Sequence, residues 1–390
     1  MTLPDPYTPG QVPRVLAGRA VELGRIRDRL GRVASFSELA GPLLVFHAPR
    51  GLGKTSLLRT AEKEAAALGF ASAWLACSRE RPFIPELVRS VERALERVDL
   101  QMESRQRWRD RLSSLSLELG VFGVSVGGEV ARSDADVPAG AAPIGALEDL
   151  LHEAAAAVRE RGGAGLVVFI DELHAASADD LATLLNAVQN LDGSREDNPL
   201  TVVTAGLPVT PEAIIRAATF GERSAFVPLD VLSDDDARQL LVLPAEALDV
   251  DWDPDALEEV VRRVGGHPYL LQLAGSCTWQ ALRPDAGAVI DQAAVDAGLP
   301  AAEVQLTAMH AARWGSATEL EQTFIAAMAS AGPGNVTRAS IAAAMGVDSR
   351  SISVPRERLI EKGIIEPVGH GLVRFTMPGF GSWVRARSSG

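Results

Sequence analysis

The sequence has little of what marks a secreted or membrane protein. Only two of its 390 residues are cysteines, Cys77 and Cys277, and they show neither a disulfide framework nor the spacing of a metal site. The first ten residues, MTLPDPYTPG, lack a charged segment followed by an apolar core and so do not predict a signal peptide. No apolar run approaches the ~18 residues that would span a membrane. These absences predict a cytoplasmic protein without a membrane partner.

Positive charge is also scarce. The formal net charge is −13, which argues against a surface coated for nucleic acid. The charge is uneven, because Glu319 to Gly390 contain eight Lys/Arg against six Asp/Glu, a net of +2, and the remainder therefore carries −15. With 47% hydrophobic residues, the chain can bury a substantial core divided over two or three domains.

The chain is organised around Leu43 to Leu58, LLVFHAPRGLGKTSLL. An apolar strand leads into a Gly-rich loop and then a helix, the context that a phosphate-binding P-loop requires. The pattern G-x-x-x-x-G-K-[ST] is met except at its first position, which is Ala48; alanine costs little there if its φ is negative. The alternative is an ordinary Gly-rich turn. The residues predicted to bind the cofactor are Pro49, Arg50, Gly51, Leu52, Gly53, Lys54, Thr55 and Ser56.

Each residue type in this loop has a physical role. The glycines allow backbone N–H groups to surround phosphate oxygens, and the start of the helix presents its positive dipole end to the same anion. Lys54 is predicted to hold the β- and γ-phosphates and to act in catalysis, and the Thr55 hydroxyl to bind Mg²⁺.

A second motif is the apolar run Gly165 to Ile170 followed by two carboxylates. A continuous apolar run suits a central parallel strand covered on both faces. This is the form of a Walker B segment, in which Asp171 would hold Mg²⁺ and Glu172 would orient and activate the attacking water. The alternative is a core strand that ends in an acidic turn.

The order of these and weaker motifs resembles that of AAA+/STAND-type P-loop ATPases, in the branch of archaeal ATPases and origin-recognition-like proteins. The weaker motifs are a Gly18-Arg19 box with Glu22-Leu23 before the P-loop, and Gly265-Gly266-His267-Pro268 between two later helices. The resemblance covers about residues 13–385. It implies an α/β P-loop NTPase core of three layers with a parallel sheet, followed by an α-helical lid and a winged-helix domain, with ATP/ADP and Mg²⁺ as cofactors.

The resemblance also implies roles for residues outside the two strong motifs. Val15 and Gly18 would lie against the adenine, and Pro268 would pack on it. Thr204, near the end of the strand Thr201–Gly206, is the best match to a catalytic polar residue called sensor 1, although a structural role in the strand is the competing interpretation. Arg223 resembles an arginine finger that reaches the γ-phosphate of a neighbouring subunit, with an ordinary surface ion pair as the alternative.

The C-terminal segment resembles a winged-helix domain, with two helices, a turn, a third helix and two strands around Gly369 and Gly371. If it binds double-stranded DNA, the third helix would enter the major groove. Phosphate contacts would come from Arg350, Arg356 and Arg374, with further contacts from Arg385 and Arg387. A net of +2 is weak for such a module, so docking to a protein partner is the alternative.

We therefore predict four regions: a lead-in with the Gly-Arg box over residues 1–40, an ATPase core over 41–230 with an inserted β-hairpin at about 114–130, a helical lid over 231–315, and a winged helix over 316–390. Lid helices are expected at about 234–242, 254–264, 268–281 and 288–297. The predicted function is an ATP-binding, ATP-hydrolysing switch, as a monomer or homo-oligomer. The alternative is a nucleotide-stabilised scaffold or autoinhibited signalling module that uses the winged helix for protein contacts.

Overall fold

The computed structural model describes residues 2–97, 143–369 and 371–388. The predicted β-hairpin at about 114–130 lies outside these residues. Within the described part of the chain, no helix is long and apolar enough to cross a membrane.

The core is built on a parallel sheet of five strands in the order β2-β3-β4-β1-β5. Its two central strands β3 and β4 are buried at every residue, as their continuous apolar runs predict. The strands are β1 Leu44–His47, β2 Phe70–Ala76, β3 Gly165–Asp171, β4 Leu200–Gly206 and β5 Ala225–Pro228.

Helices cover both faces of this sheet. Because successive strand residues point to opposite faces, Phe169 packs with the helices of one face and Ile170 with those of the other. The first face carries α1 Ala20–Phe36 and α2 Lys54–Ala67. The second carries α3 Phe83–Arg97, α4 Pro143–Arg159, α5 Ala178–Leu191 and α6 Thr210–Ala217. The predicted three-layer α/β core is confirmed.

Four helices form the lid that follows the core. Side-chain oxygens accept from backbone N–H groups at the start of three of them, Ser233 from Asp236, Asp253 from Ala256 and Asp291 from Ala294, which satisfies N–H groups that a helix start leaves unpaired. The helices are α7 Asp234–Glu246, α8 Pro254–Val264, α9 Pro268–Leu282 and α10 Gln292–Gly315, with a short parallel pair of strands, β6 Asp251–Trp252 and β7 Val289–Ile290.

The lead-in at the N-terminus packs on this lid. The Tyr7 hydroxyl donates to the Leu241 carbonyl at 2.6 Å, and the Trp252 indole donates to Tyr7 at 3.0 Å. The backbone N–H of Thr8 donates to the Gln272 side chain at 2.9 Å. The chain therefore crosses from lid to core between Thr8 and α1.

The C-terminal domain follows the predicted order of helices and strands, with an additional strand β8 and an additional final helix α14. Strands β8, β10 and β9 form an antiparallel sheet in that order. The elements are α11 Glu319–Ser330, β8 Val336–Thr337, α12 Arg338–Met345, α13 Ser353–Glu361, β9 Ile365–Gly369, β10 Leu372–Phe375 and α14 Phe380–Ser388.

Helix α10 belongs to two hydrophobic cores. Val295 and Leu299 near its start are buried in the lid, whereas Met309 and Trp314 near its end pack against the C-terminal domain. Its 24 residues extend well beyond the predicted limit near residue 297, although Pro300 lies inside it. A continuous helix with both ends packed therefore joins the lid to the C-terminal domain.

Candidate nucleotide site

The phosphate-binding loop joins β1 to α2. Gly51 and Gly53 have φ values of +85° and +84°, a region that L-residues with a Cβ seldom adopt, which explains glycine at both positions. Ala48 has no positive φ, so alanine is tolerated where the P-loop pattern has glycine. The loop therefore has positive φ values at both glycines of the predicted P-loop.

Lys54 is buried at the start of α2. Its ammonium donates to the carbonyls of Ala48 and Pro49 at 2.9 and 2.8 Å, so the loop wraps around its own lysine. Burial lowers the pKa of Lys54 to about 8, although Glu172 and Asp171 oppose the shift. A buried cation at the start of a helix and beside a glycine-rich loop suits an anion such as a triphosphate.

The two predicted metal ligands are in contact. The Thr55 hydroxyl donates to a carboxylate oxygen of Asp171 at 2.6 Å, although 116 residues separate them. Burial raises the pKa of Asp171, and the hydrogen bond from Thr55 opposes this. A hydroxyl and a carboxylate are hard oxygen ligands, which fit Mg²⁺ completed by phosphate and water.

Glu172 follows β3 in a left-handed conformation with φ +54°, an unfavourable backbone for a residue with a Cβ that is often found at functional sites. One of its carboxylate oxygens lies 3.3 Å from the Arg50 guanidinium and 3.5 Å from His174 Nε2. The sequence assigned Arg50 only to the cofactor-binding loop, so its ion pair with Glu172 was not predicted.

His174 was missed by the sequence prediction. Burial lowers its pKa to about 4, so the ring is neutral at neutral pH. Its Nδ1 accepts from the Leu207 backbone N–H at 3.4 Å, which places the remaining proton on Nε2, facing Glu172. A histidine two residues after the Walker B carboxylates was the signal available in the sequence.

A cleft of about 500 Å³ runs from the phosphate loop to the lid, a size that suits a small-molecule ligand. It brings together most residues that the sequence assigned to nucleotide: Val15, Arg50, Gly51, Leu52, Gly53, Lys54, Thr55, Ser56, Glu172 and Pro268. Gln272, one turn after Pro268 on α9, also lines the cleft and was not predicted. Pro49 instead faces Lys54 through its carbonyl.

The Gly-Arg box joins the core to the lid. A Cβ on Gly18 would lie 2.6 Å from the Leu232 side chain and 2.7 Å from that of Asp236, so Gly18 packs on the lid rather than lining the cleft. The buried Arg19 guanidinium donates to the Leu52 carbonyl at 3.1 Å and to the Asp230 carbonyl at 2.6 Å. Arg19 thus fixes the phosphate loop to the segment that leads into the lid, a role that the sequence did not show.

The lid also contacts the phosphate loop directly. The Tyr269 backbone N–H donates to the Gly51 carbonyl at 3.2 Å, and a Cβ on Gly51 would lie 2.5 Å from His267 Cε1. His267 is buried, which lowers its pKa to about 4. The start of α9 therefore rests on the loop that would hold the phosphates.

Two predicted catalytic residues lie outside this cleft. Thr204 is fully buried inside β4, and its hydroxyl contacts the Leu44 carbonyl at 3.4 Å, so its side chain is used within the sheet. Arg223 ends the short 3-10 helix Thr219–Arg223 just before β5, at the amino edge of the parallel sheet and not at the carboxyl edge where the phosphate loop begins. The structure does not bring either to Lys54 in the same chain.

The arginines proposed to contact DNA have different surroundings. Arg350 is exposed and Arg356 is partly buried. Arg374 pairs with the buried carboxylate of Glu366. The guanidinium of Arg385 donates to the Ala329 carbonyl at 2.9 Å. Arg387 lies over the Trp314 and Trp383 rings at 5.8 and 5.7 Å.

This geometry is that of a P-loop NTPase core: a strand order with β4 between the two motif strands, a phosphate loop, a paired threonine and aspartate, and a lid on the loop. Comparisons with known proteins agree. Residues 15–203 match the family model of the AAA ATPase domain. Residues 307–384 match a domain of unknown function, DUF8462, which begins within α10. No curated protein matches the chain.

Solved structures share the fold along nearly the whole chain. A Walker-type ATPase of Pyrococcus abyssi is 13% identical with a TM-score of 0.58, covering 95% of this chain and 96% of that one. The ORC2 protein of Aeropyrum pernix, solved in ADPNP–ADP complexes, is 15% identical with a TM-score of 0.57, covering 98% of both chains. The domain match over residues 15–203 supports nucleotide binding and ATPase activity, and the solved structures show the shared fold.

Proposed function

We propose that this protein is an ATP-hydrolysing molecular switch in which nucleotide bound between core and lid sets the position of the C-terminal domain. The observation that carries the proposal is the Thr55–Asp171 contact of 2.6 Å beside the buried Lys54. Thr55 and Asp171 would supply Mg²⁺ ligands and Lys54 a phosphate-binding cation. All three lie at the carboxyl edge of one sheet, where parallel-sheet proteins bind ligands.

In this mechanism the backbone N–H groups of the loop and Lys54 hold the β- and γ-phosphates. Bound Mg²⁺ would neutralise charge on the phosphates, and Thr55 and Asp171 would hold it. Glu172 accepts the proton of the attacking water. Val15 and Pro268 enclose the base, with Gln272 beside them. Thr204 acts at most through the sheet, and Arg223 acts only if a second copy presents it to this cleft.

The nucleotide state can reach the C-terminal domain through two connected contacts. The start of α9 packs on Gly51, so phosphates bound in the loop would affect the position of the lid. Helix α10 packs in both the lid and the C-terminal domain. Movement of the lid therefore moves the C-terminal domain as well, with Gly265-Gly266 as the hinge.

The C-terminal domain has the element order of a winged helix, and we propose that it binds double-stranded DNA through α13 and Arg350. Two observations favour the alternative of protein contact, as in a nucleotide-stabilised scaffold or an autoinhibited signalling module. Glu361, at the end of α13, lies 3.4 Å from Arg79 of the core, and Arg374 is already paired with Glu366. Both features use C-terminal charges within the protein itself.

The test is ATP turnover by the purified protein with and without double-stranded DNA, with its mass in solution followed in parallel and Lys54→Ala as control. Turnover that depends on Lys54 and rises with DNA supports the DNA-coupled switch, and assembly alongside it makes Arg223 the next residue to change. Bound nucleotide with negligible turnover in both cases, and a monomer throughout, would instead support the scaffold.

A further inference from the structure

The turn between α13 and β9 of the C-terminal domain lies against the phosphate loop. At its centre is Gly363, with φ +64°. A Cβ on Gly363 would lie 3.3 Å from Arg50 Nε and 3.4 Å from Leu207 Cδ1. The turn thus packs on the side chain of a phosphate-loop residue and on the residue that follows β4.

The turn is anchored to helix α10. The Arg313 guanidinium donates to the Gly363 carbonyl at 3.3 Å and to the Thr376 hydroxyl at 2.9 Å. Thr376 itself donates to the Gly363 carbonyl at 2.7 Å. Because α10 packs on the lid as well, the position of this turn follows the position of the lid.

The other end of the contact is the carboxylate assigned to hydrolysis. One oxygen of Glu172 faces both the Arg50 guanidinium at 3.3 Å and His174 Nε2 at 3.5 Å. Leu207, which touches the turn, holds His174 through its backbone N–H. The Gly363 turn therefore contacts Arg50 directly. It reaches His174 through Leu207.

We propose that Arg50 is a positioning residue that holds the Glu172 carboxylate in a restrained arrangement, and that the docked Gly363 turn keeps Arg50 there. A carboxylate oxygen that faces two donors has fewer lone pairs available for the proton of water. Displacement of the C-terminal domain by a partner then frees Arg50 and raises turnover. This inference rests on the proposed ATPase function and adds its regulation.

The restraint is modest in size. Arg50 is 47% exposed and Glu172 27% exposed, and half-exposed ion pairs of this kind change equilibria by about two- to fivefold. A contact of this strength can be released by a partner that binds the C-terminal domain with ordinary affinity.

The experiment measures kcat and KM for ATP in the full chain. Arg50→Ala and Gly363→Ala are each expected to raise kcat about two- to fivefold with less than a twofold change in KM, and Arg50→Lys is expected to lie between Arg50→Ala and the wild type. The matched control is Gly346→Ala, because Gly346 is in the same domain with φ +68° and a Cβ added there would meet no described residue within 4 Å. Its kcat is expected to equal that of the wild type.

The double variant Arg50→Ala/Gly363→Ala is expected to match the stronger single variant, because both changes release the same restraint. A lower kcat with a higher KM in Arg50→Ala would overturn the proposal and make the side chain a phosphate ligand. Equal kcat in Gly363→Ala and Gly346→Ala would overturn the role of the turn. If the wild type hydrolyses ATP and Glu172→Gln does not, either of these outcomes counts against the role of Arg50 or of the Gly363 turn and leaves the proposed function intact. If the wild type has no turnover, the proposed function itself fails.

Discussion

The hydroxyl of Thr55 and the carboxylate of Asp171 lie 2.6 Å apart, although 116 residues separate them in the sequence. Thr55 follows β1 and Asp171 ends β3. These two strands are not neighbours, since β4 lies between them. Parallel strands nevertheless end at the same edge of the sheet, so the two motifs converge there. This contact assembles the proposed Mg²⁺ site from residues of the chain itself.

Replacing Thr55 by valine removes the hydroxyl and retains the volume. We expect Thr55→Val to lose most of the gain in ATP affinity that Mg²⁺ provides, a change of about tenfold or more. The measurement is ATP affinity with Mg²⁺ and with a chelator. Thr60→Val is the matched control, because Thr60 is on the same helix and its hydroxyl only donates to the Ser56 carbonyl. Equal Mg²⁺ dependence in the two variants would remove Thr55 from the metal site.

The pKa of Lys54 predicts how nucleotide binding depends on pH. Because burial lowers this pKa to about 8, the amine loses its proton as pH rises through that value. A bound polyphosphate favours the charged form and raises the pKa, so binding takes up a proton above about pH 8 and affinity declines there. Calorimetry of ATP binding near pH 8.5 in two buffers of different ionisation enthalpy measures this uptake.

Lys54→Arg is the comparison for this experiment, since arginine stays protonated throughout the range. We expect no proton uptake by this variant near pH 8.5 and a flat affinity profile, whatever its absolute affinity. Proton uptake of the same size in both proteins would show that another group titrates.

Gly51 and Gly53 have nearly equal φ values but different neighbours. Alanine at either position carries a backbone cost of ~1–2 kcal/mol. Among the residues that the structure describes, a Cβ added at Gly51 would lie 2.5 Å from His267 Cε1 of the lid, whereas a Cβ added at Gly53 would meet none within 4 Å. We therefore expect Gly51→Ala to lower the free energy of unfolding more than Gly53→Ala.

Adding His267→Ala to Gly51→Ala should recover part of that difference, with a coupling free energy above ~0.5 kcal/mol. Denaturant unfolding of the two single variants and the double variant measures it. Strict additivity would mean that the lid does not rest on the loop through these residues.

Two arginines of the C-terminal domain are expected to differ in role, one in DNA binding and the other in stability. We expect Arg350→Ala to fold normally and to lower the salt dependence of DNA binding by about one phosphate contact. Arg374→Ala should instead lower the melting temperature, because it leaves the buried Glu366 carboxylate without its partner. Binding that is insensitive to salt, or unchanged in Arg350→Ala, would contradict DNA recognition by this surface.

The parts of the site that follow from local sequence were predictable. The strand–loop–helix around Lys54 and the apolar strand ending at Asp171 each carry their own pattern, and a parallel sheet leaves one edge where both can end. The positive φ values at Gly51 and Gly53 agree with the glycines that the pattern places there. In the C-terminal domain, helices α11, α12 and α13 and strands β9 and β10 were visible from periodicity and turn residues, whereas β8 and α14 were not predicted.

The contacts between distant segments were not predictable. Nothing local to Arg50 indicates that its side chain meets Glu172 and the Gly363 turn, and nothing local to Tyr7 indicates that it fills a space in the lid. Helix α10 was predicted to end near residue 297, whereas it continues through Pro300 to Gly315 with both ends packed against other elements. Thr204 was assigned from its place at a strand end, although only its burial shows that its hydroxyl stays within the sheet.

The measurement that tests the central claim most directly compares ATP binding and turnover in the wild type and in Glu172→Gln. The account predicts that the glutamine variant binds ATP with wild-type affinity, because Lys54, Thr55 and Asp171 are intact, and that its turnover falls by about 10²–10⁴-fold because the base is lost. Wild-type turnover in Glu172→Gln would contradict the assignment of this cleft as the site of hydrolysis.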